Sequence, residues 1–472
     1  MAQVTISPHT LESYITRNYP SVEELEVIAE RAHTTQTLWA EVPLDDRIAI
    51  AEKFVEEFQK LGDEVASTLT AQMGRPIKQS PGEVRGTVER AKYMISIAKS
   101  SLADVELKDT DKPGFRRFIK RVPLGVVLVI APWNYPYLTS INSVLPAILA
   151  GNSVVLKPSP QTPLTGELLR KAFIAAGLPE DLLQVVHLSP ELAEALIKNP
   201  LIKFVSFTGS VATGHLVAKE ATLSGAFKGV ALELGGKDAA YVREDADLDY
   251  TTAELVDGAF FNSGQSCCAI ERIYVHQSKY DDFVNKFVEI AKTYKLGDPT
   301  KEEVNLGPVV TVGSADKIRK QVQDAVMAGA KTLLPDQLFP AAKEGTAFVA
   351  PQVLVDVDHN MDVMTEETFG PIVGIMKVSD DKEALHLMND SKYGLTASIW
   401  TDAAGDPKSE DAFLKLCDGL DVGTVFLNRC DYLDPALAWT GSKDSGRGVS
   451  LSKFGYDQLT RPKSVHMKIK TS

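Results

Sequence analysis

Five short apolar runs decide how this chain folds: VVLVIA (126–131), SVVLKP (153–158), LLQVVH (182–187), KFVSFT (203–208) and GVALEL (229–234). Each is rich in β-branched residues and too short for a helix. Between them run helical patterns at Leu164 to Ala176, Pro190 to Lys198 and Val211 to Glu220. Short buried strands alternating with helices imply a parallel sheet joined by crossovers, an α/β fold.

Working outward, three helical patterns precede the runs, at Ser21 to Val42, Leu44 to Met73 and Gly82 to Leu102, each with apolar residues three and four apart. After about Gly235 the alternation restarts. DAAYVR (238–243) and RIYVHQ (272–277) read as strands, Lys279 to Tyr294 as a helix ending at Gly297. VLVDV (353–357), PIVGIMKV (371–378), ASIWT (397–401) and TVFLN (424–428) read as further strands of a second α/β unit. FRRFIKRV (115–122) and KSVHMKIK (463–470) fit neither unit. They alternate basic and apolar residues, as strands with one wet face do.

Composition narrows the function. The chain has 472 residues, 44% hydrophobic and 24% charged, which excludes disorder and is long enough for about three domains. A net charge of −13 argues against nucleic acid and anionic membrane as partners. The longest apolar runs fall far short of the ~20 residues of a membrane span. The N-terminal stretch has no basic region followed by an apolar one, so no signal peptide is expected. Cys267, Cys268, Cys417 and Cys430 suit a reducing compartment, and a cytoplasmic protein is expected. No His/Cys spacing suggests a metal site.

Several residues carry chemistry, and each also has a plainer reading. In GQSCC (264–268) either Cys267 or Cys268 offers a nucleophilic thiolate, or both are small buried hydrophobes. Glu233 closes an apolar run before two glycines, as a general base or as a salt-bridged strand end. Asn134 in APWNYP is a hydrogen-bond donor or a turn residue. Gly209 and Ser210 in TGSVATG stand where a strand passes into a helix, an anion site or a simple cap. Lys157 ends a strand, offering an ammonium to a cofactor or only to solvent.

Taken together, PWNYP (132–136), the Lys157 strand end, FTGSVATG (207–214), LELGGK (232–237), GQSCC (264–268), EETFGP (366–371) and GSKDSGRG (441–448) resemble the aldehyde dehydrogenase superfamily, in order and over nearly the whole chain. Glu233 and Cys267 also stand 34 residues apart, as in that family. The resemblance implies an aldehyde dehydrogenase-like fold: a Rossmann-type cofactor domain (1–107 and 123–234), an α/β catalytic domain (235–444) and a β oligomerisation arm (108–122 and 453–472). It implies oxidation of an aldehyde to a carboxylic acid with NAD or NADP. Cys267 is the implied nucleophile, Glu233 the general base and Asn134 the oxyanion donor. Trp133, Lys157, Gly209, Ser210, Glu367 and Phe369 are the implied cofactor contacts. Tyr135, Thr139, Asn142, Ser266, Cys268, Leu433 and Trp439 are expected to line the substrate pocket.

That partly aromatic pocket favours a medium-chain or aromatic aldehyde, whereas Arg429 nearby suits a semialdehyde such as succinate semialdehyde. Intact Glu233 argues against a CoA-acylating enzyme and against a catalytically silent member of the family. The arm implies a homodimer or homotetramer. The chain departs from the pattern at Pro160, where many NAD-preferring members carry a carboxylate, at HLSPEL (187–192), and at NRCDYLDPALAW (428–439). Loss of that carboxylate points to use of NADP alongside or ahead of NAD.

Overall fold

The computed structural model describes residues 1–107 and 111–470; the expected arm residues 108–110, 471 and 472 lie outside it. Its first large sheet is built from the five apolar runs: β5 (Val126–Ile130), β6 (Ser153–Lys157), β7 (Leu183–Val185), β8 (Ile202–Thr208) and β9 (Gly229–Glu233). They are parallel, in the order β9-β8-β5-β6-β7, and the two-residue β19 (Gly446–Arg447) adds antiparallel to β9. Alternation puts Val127 and Val129 into the core on one face, with Phe54, Phe58 and Phe173, and Val126, Leu128 and Ile130 into the core on the other. Helices cover both faces, the arrangement that buries an all-parallel sheet.

Those helices are α1 (Val22–Trp39), α2 (Leu44–Lys60), α3 (Gly62–Met73), α4 (Pro81–Leu102), α5 (Pro136–Leu149), α6 (Leu164–Ala175), α7 (Pro190–Lys198) and α8 (Val211–Leu223). The single helix expected over Leu44 to Met73 is two, because Leu61 leaves helical geometry (φ −86°, ψ 5°) and the chain restarts at Gly62. An N-terminal hairpin, β1 (Ala2–Ile6) with β2 (Ser13–Asn18), adds to the elements expected from sequence.

After β9 the chain passes directly into β10 (Asp238–Val242) of a second sheet. It continues with α9 (Leu248–Phe260), β11 (Ile270–His276), β12 (Lys331–Thr332), β13 (Gln352–Val355), β14 (Ile372–Val378), β16 (Thr396–Trp400) and β17 (Thr424–Leu427). The order is β12-β13-β14-β11-β10-β16-β17, parallel except at β12, and Ala239 and Tyr241 face one core while Ala240 and Val242 face the other. The short β15 (Tyr393–Gly394) and β18 (Ser442–Lys443) pair nearby.

The two basic/apolar stretches pair with each other. β4 (Phe115–Pro123) lies antiparallel between β3 (Val105–Glu106) and β20 (Thr460–Lys468). The arm assignment needs one correction: residues 453–458 are not strand but part of a short helix, Ser452–Gln458, whose Gly455 and Tyr456 are buried and whose Tyr456 hydroxyl donates to the Met94 carbonyl of α4 at 2.7 Å.

Candidate active site

From β5 the chain moves one way to β6 and β7, then returns to β8 on the opposite side of β5. Ligands of open α/β sheets bind beyond the strand ends at such a reversal. A cavity of 490 Å³ opens there. Trp133 and Asn134 reach it from the end of β5, Lys157 from the end of β6, and Gly209 and Ser210 from the turn between β8 and α8. Ser210 caps α8, its Oγ accepting the Thr213 N–H at 3.4 Å, at the helix end that borders the cavity. Lys157 has no carboxylate partner among the described residues; its ammonium reaches only the Pro158 carbonyl, at 3.4 Å. Burial lowers its pKa to about 8.

The opposite wall comes from the second sheet. Glu271, buried in β11, accepts the Phe369 N–H at 2.9 Å and the ammonium of buried Lys237 at 2.5 Å. This holds Phe369 in a left-handed conformation (φ 54°) with its ring edge-on to Trp133, 5.4 Å between centroids. Glu367 accepts the Gly236 N–H at 3.1 Å; burial, then the nearby Glu271 carboxylate, pushes its carboxyl up to about 7.

The cysteines sit on a loop that follows α9. Asn262 and Ser263 take left-handed geometry, Arg75 Nε donates to Asn262 Oδ1 at 3.0 Å, and Gln265 Oε1 accepts the Val310 N–H at 2.8 Å. The two thiols then diverge. Cys267 lies on the wall of the cavity that Lys157 and Ser210 also line. Cys268 is buried, with its Sγ 3.1 Å from Asp431 Oδ1, and the neighbouring Cys267 thiol, burial and Asp431 all push its own pKa well up. Glu233 ends β9 with no salt bridge among the described residues. Its carboxylate accepts from Ser450 Oγ at 2.5 Å and Thr208 Oγ1 at 3.5 Å, and burial raises its pKa. Asn134 is buried with its backbone carbonyl held by Arg75 Nη2, while its side-chain amide bonds to no described residue and borders the cavity.

A second cavity, of 410 Å³, shares Cys267, Glu233 and Thr208 with the first. Tyr135, Thr139 and Asn142 line it from the start of α5, Ser266 and Cys268 from the cysteine loop, and Leu433 and Trp439 from the C-terminal segment. Arg429 does not line it. Its guanidinium is exposed and lies 3.5 Å over the Tyr432 ring. The two cavities thus adjoin at Cys267 and Glu233.

The family model described as "Aldehyde dehydrogenase family" matches residues 2–465. The chain belongs to the aldehyde dehydrogenase family. It is 33% identical over 472 residues to a succinate-semialdehyde dehydrogenase [NADP(+)] of Mycobacterium avium, covering 98% of this chain and 96% of that one. It is 32% identical over 465 residues to a probable betaine aldehyde dehydrogenase of Schizosaccharomyces pombe, covering 98% and 91%. Among solved structures, the NADP-dependent glyceraldehyde-3-phosphate dehydrogenase of Bacillus halodurans, complexed with NADP, matches with a TM-score of 0.92 and 31% identity, covering 100% and 96%. The protein is accordingly an NAD(P)-dependent aldehyde dehydrogenase, and none of its described helices is long and apolar enough to cross a membrane.

The dehydrogenase also uses residues that its sequence did not flag. Arg75 and Glu83 form a buried pair at 2.5 Å; Glu83 Oε1 also accepts the N–H groups of Tyr137 (2.9 Å) and Leu138 (3.1 Å), fixing the start of α5 behind Asn134. Glu271, Arg90 and Asp431 belong to the same class. Glu271 and Arg90 are charges on otherwise apolar faces, the one sequence signal that marks them, whereas Asp431 lies in a loop that gives no such signal.

Proposed function

We propose that this dehydrogenase oxidises small aldehydes to free carboxylic acids, with Cys267 as nucleophile, Glu233 as general base and Asn134 as oxyanion donor. The observation that carries the reading is the meeting of the two cavities at Cys267 and Glu233. Cys267 attacks the aldehyde carbon, and the resulting oxyanion takes the Asn134 amide proton in a hydrogen bond. Arg75 holds that residue's backbone, so the donor is set before charge develops. The nicotinamide coenzyme supplies the hydride acceptor that turns the thiohemiacetal into a thioester. Glu233, its carboxyl raised by burial, takes a proton from the water that hydrolyses the thioester.

The coenzyme-side cavity fits a dinucleotide: an unpaired buried ammonium at Lys157, free N–H groups at α8, and the Trp133/Phe369 pair toward the thiol. Trp133, Lys157, Gly209, Ser210, Glu367 and Phe369 are its contacts in this reading, and Tyr135, Thr139, Asn142, Ser266, Cys268, Leu433 and Trp439 surround the aldehyde. Lys157 without a carboxylate neighbour, and Pro160 with no polar side-chain atom, support a preference for NADP. Residues 1–107 and 123–234 act as the coenzyme-binding domain and 235–444 as the catalytic domain, following the two sheets. The β3-β4-β20 ribbon leaves edges that a second copy would cover, which supports a homodimer or homotetramer, measurable by light scattering. Four free cysteines suit the cytoplasm.

The test is a pair of variants assayed without CoA. Cys267→Ala should abolish NADPH and acid production, and Cys268→Ala should keep most of both. Equal losses would overturn the assignment, and dependence on added CoA would replace hydrolysis by acyl transfer.

A further inference from the structure

Arg90 projects from α4 with 8% of its surface exposed, and only one arm of its guanidinium is used within the protein. Nη1 donates to the Leu138 carbonyl at 2.8 Å and to Asn142 Oδ1 at 3.2 Å. Arg75 is paired with Glu83 and Lys237 with Glu271, but no described carboxylate pairs with Arg90. Its remaining donors border the substrate cavity, the one that also holds Cys267 and Glu233. Beside it, Asn142 Nδ2 is buried with no acceptor. A buried guanidinium with donors left open on one wall requires an acceptor from elsewhere.

We propose that Arg90 is the specificity-determining residue, and that its guanidinium, held by Asn142 Oδ1, receives the carboxylate of a semialdehyde whose aldehyde end reaches Cys267. This rests on the catalytic reading of that cavity given above. A planar fork of N–H groups matches a planar carboxylate, and an apolar tail would leave the guanidinium unpaired once water is expelled. A phosphate dianion fits less well, because Glu89, Glu254 and Asp257 also line this cavity and repel a second charge. Asp431 is already engaged by Ser266 and Cys268. The exposed Arg429, stacked on Tyr432, leaves this role to Arg90.

The test compares succinate semialdehyde with butanal, equal in carbon number and differing in the carboxylate. Wild-type kcat/KM should favour the semialdehyde by about 100-fold or more. Arg90→Gln should lose most of that ratio through KM for the semialdehyde, with butanal changed less than about tenfold, and Arg90→Lys should recover part of it. Equal wild-type activity on both aldehydes, or equal losses on both in Arg90→Gln, would overturn the proposal.

A second readout needs neither turnover nor a folded variant. Succinate, and not butyrate, should slow alkylation of Cys267 by iodoacetamide in the wild-type protein. Identical behaviour of the two acids would refute the anion site even in an active dehydrogenase. Protection by succinate in a protein that oxidises no aldehyde would refute the reaction and leave the site standing.

Discussion

Raising the pH from 7 to 9 should strip the proton from Lys157 and with it the hold on a 2′-phosphate. Burial at the end of β6 brings this lysine from 10.5 to about 8. About nine in ten copies then carry the charge at pH 7 and about one in ten at pH 9. A phosphate monoester stays a dianion over this range, so only the ammonium changes. A neutral amine still donates to the 2′-hydroxyl of NAD. The ratio of kcat/KM for NADP to that for NAD should therefore fall about tenfold across the interval. Any titration that both coenzymes share, such as that of Glu233, cancels in the ratio.

Stability moves with the opposite sign. The folded pKa lies below the unfolded one, so the unfolded chain binds this proton more tightly. The coenzyme-free enzyme should gain stability as pH rises from about 8 through 10.5, with about 3 kcal/mol between the limits. NADP at neutral pH should offset the same cost, and the thermal shift it gives should exceed that of NAD at pH 7 and converge with it at pH 9. A coenzyme ratio that is flat or rises with pH would refute the assignment of Lys157 to the phosphate.

Three substitutions examine the rest of the site. Glu233→Gln should leave the burst of NADPH intact and slow the steady rate, because an amide cannot take the proton of water. In the wild type the same carboxyl, raised by burial, should place the acid limb of kcat above the ordinary carboxylate range; slowing of the burst itself would contradict the role. Glu83→Gln should cost about 3–5 kcal/mol in urea unfolding, since Arg75 loses its charge partner and one amide face turns a donor toward another donor, and kcat should fall with the displaced Asn134. Wild-type stability and kcat in that variant would show the pair to be dispensable. Pro160→Glu should shift coenzyme preference toward NAD by about one to two decades, read from the same kcat/KM ratio, and an unchanged ratio would assign selectivity to another group.

What could be read from the sequence follows from how each residue is buried. The strands β5 to β9 are legible because both faces are covered, which leaves uninterrupted apolar runs that fit little else. The same burial hides α5. Twelve of its fourteen residues are buried and Pro146 lies inside it, so no amphipathic stripe marks it. The break at Leu61 is silent because apolar spacing continues from α2 into α3. Arg429 drew attention by its nearness in sequence to the C-terminal motif, yet it points outward, whereas Arg90, on a helix read only by its apolar face, points inward. Glu83 and Arg75 are eight residues apart on separate elements, and no periodicity joins them. Motifs reveal the groups that act, and only packing reveals the groups that hold them.

Cys267 and Glu233 belong to different stretches of backbone, and a few small residues set their distance. The strand that ends in Glu233 must pass beneath the cysteine loop on its way into the second sheet. It does so at Gly235 and Gly236, where an added Cβ on Gly236 would lie 2.5 Å from the Cys267 carbonyl and one on Gly235 would strike the Glu367 carboxylate. On the other edge, Gly446 (φ 121°) lets the C-terminal segment pair with Glu233, and a Cβ there would meet the Leu232 carbonyl. Beyond that pairing the segment reaches Ser450, which bridges to Trp439 and whose hydroxyl holds the Glu233 carboxylate. The Glu233 carboxylate is therefore clamped from the C-terminal segment and the Cys267 thiol from the loop after α9. Glycines between them give the close approach that both cavities need in order to meet, so the spacing of LELGGK to GQSCC and the glycines of GSKDSGRG are one constraint on the distance from carboxylate to thiol.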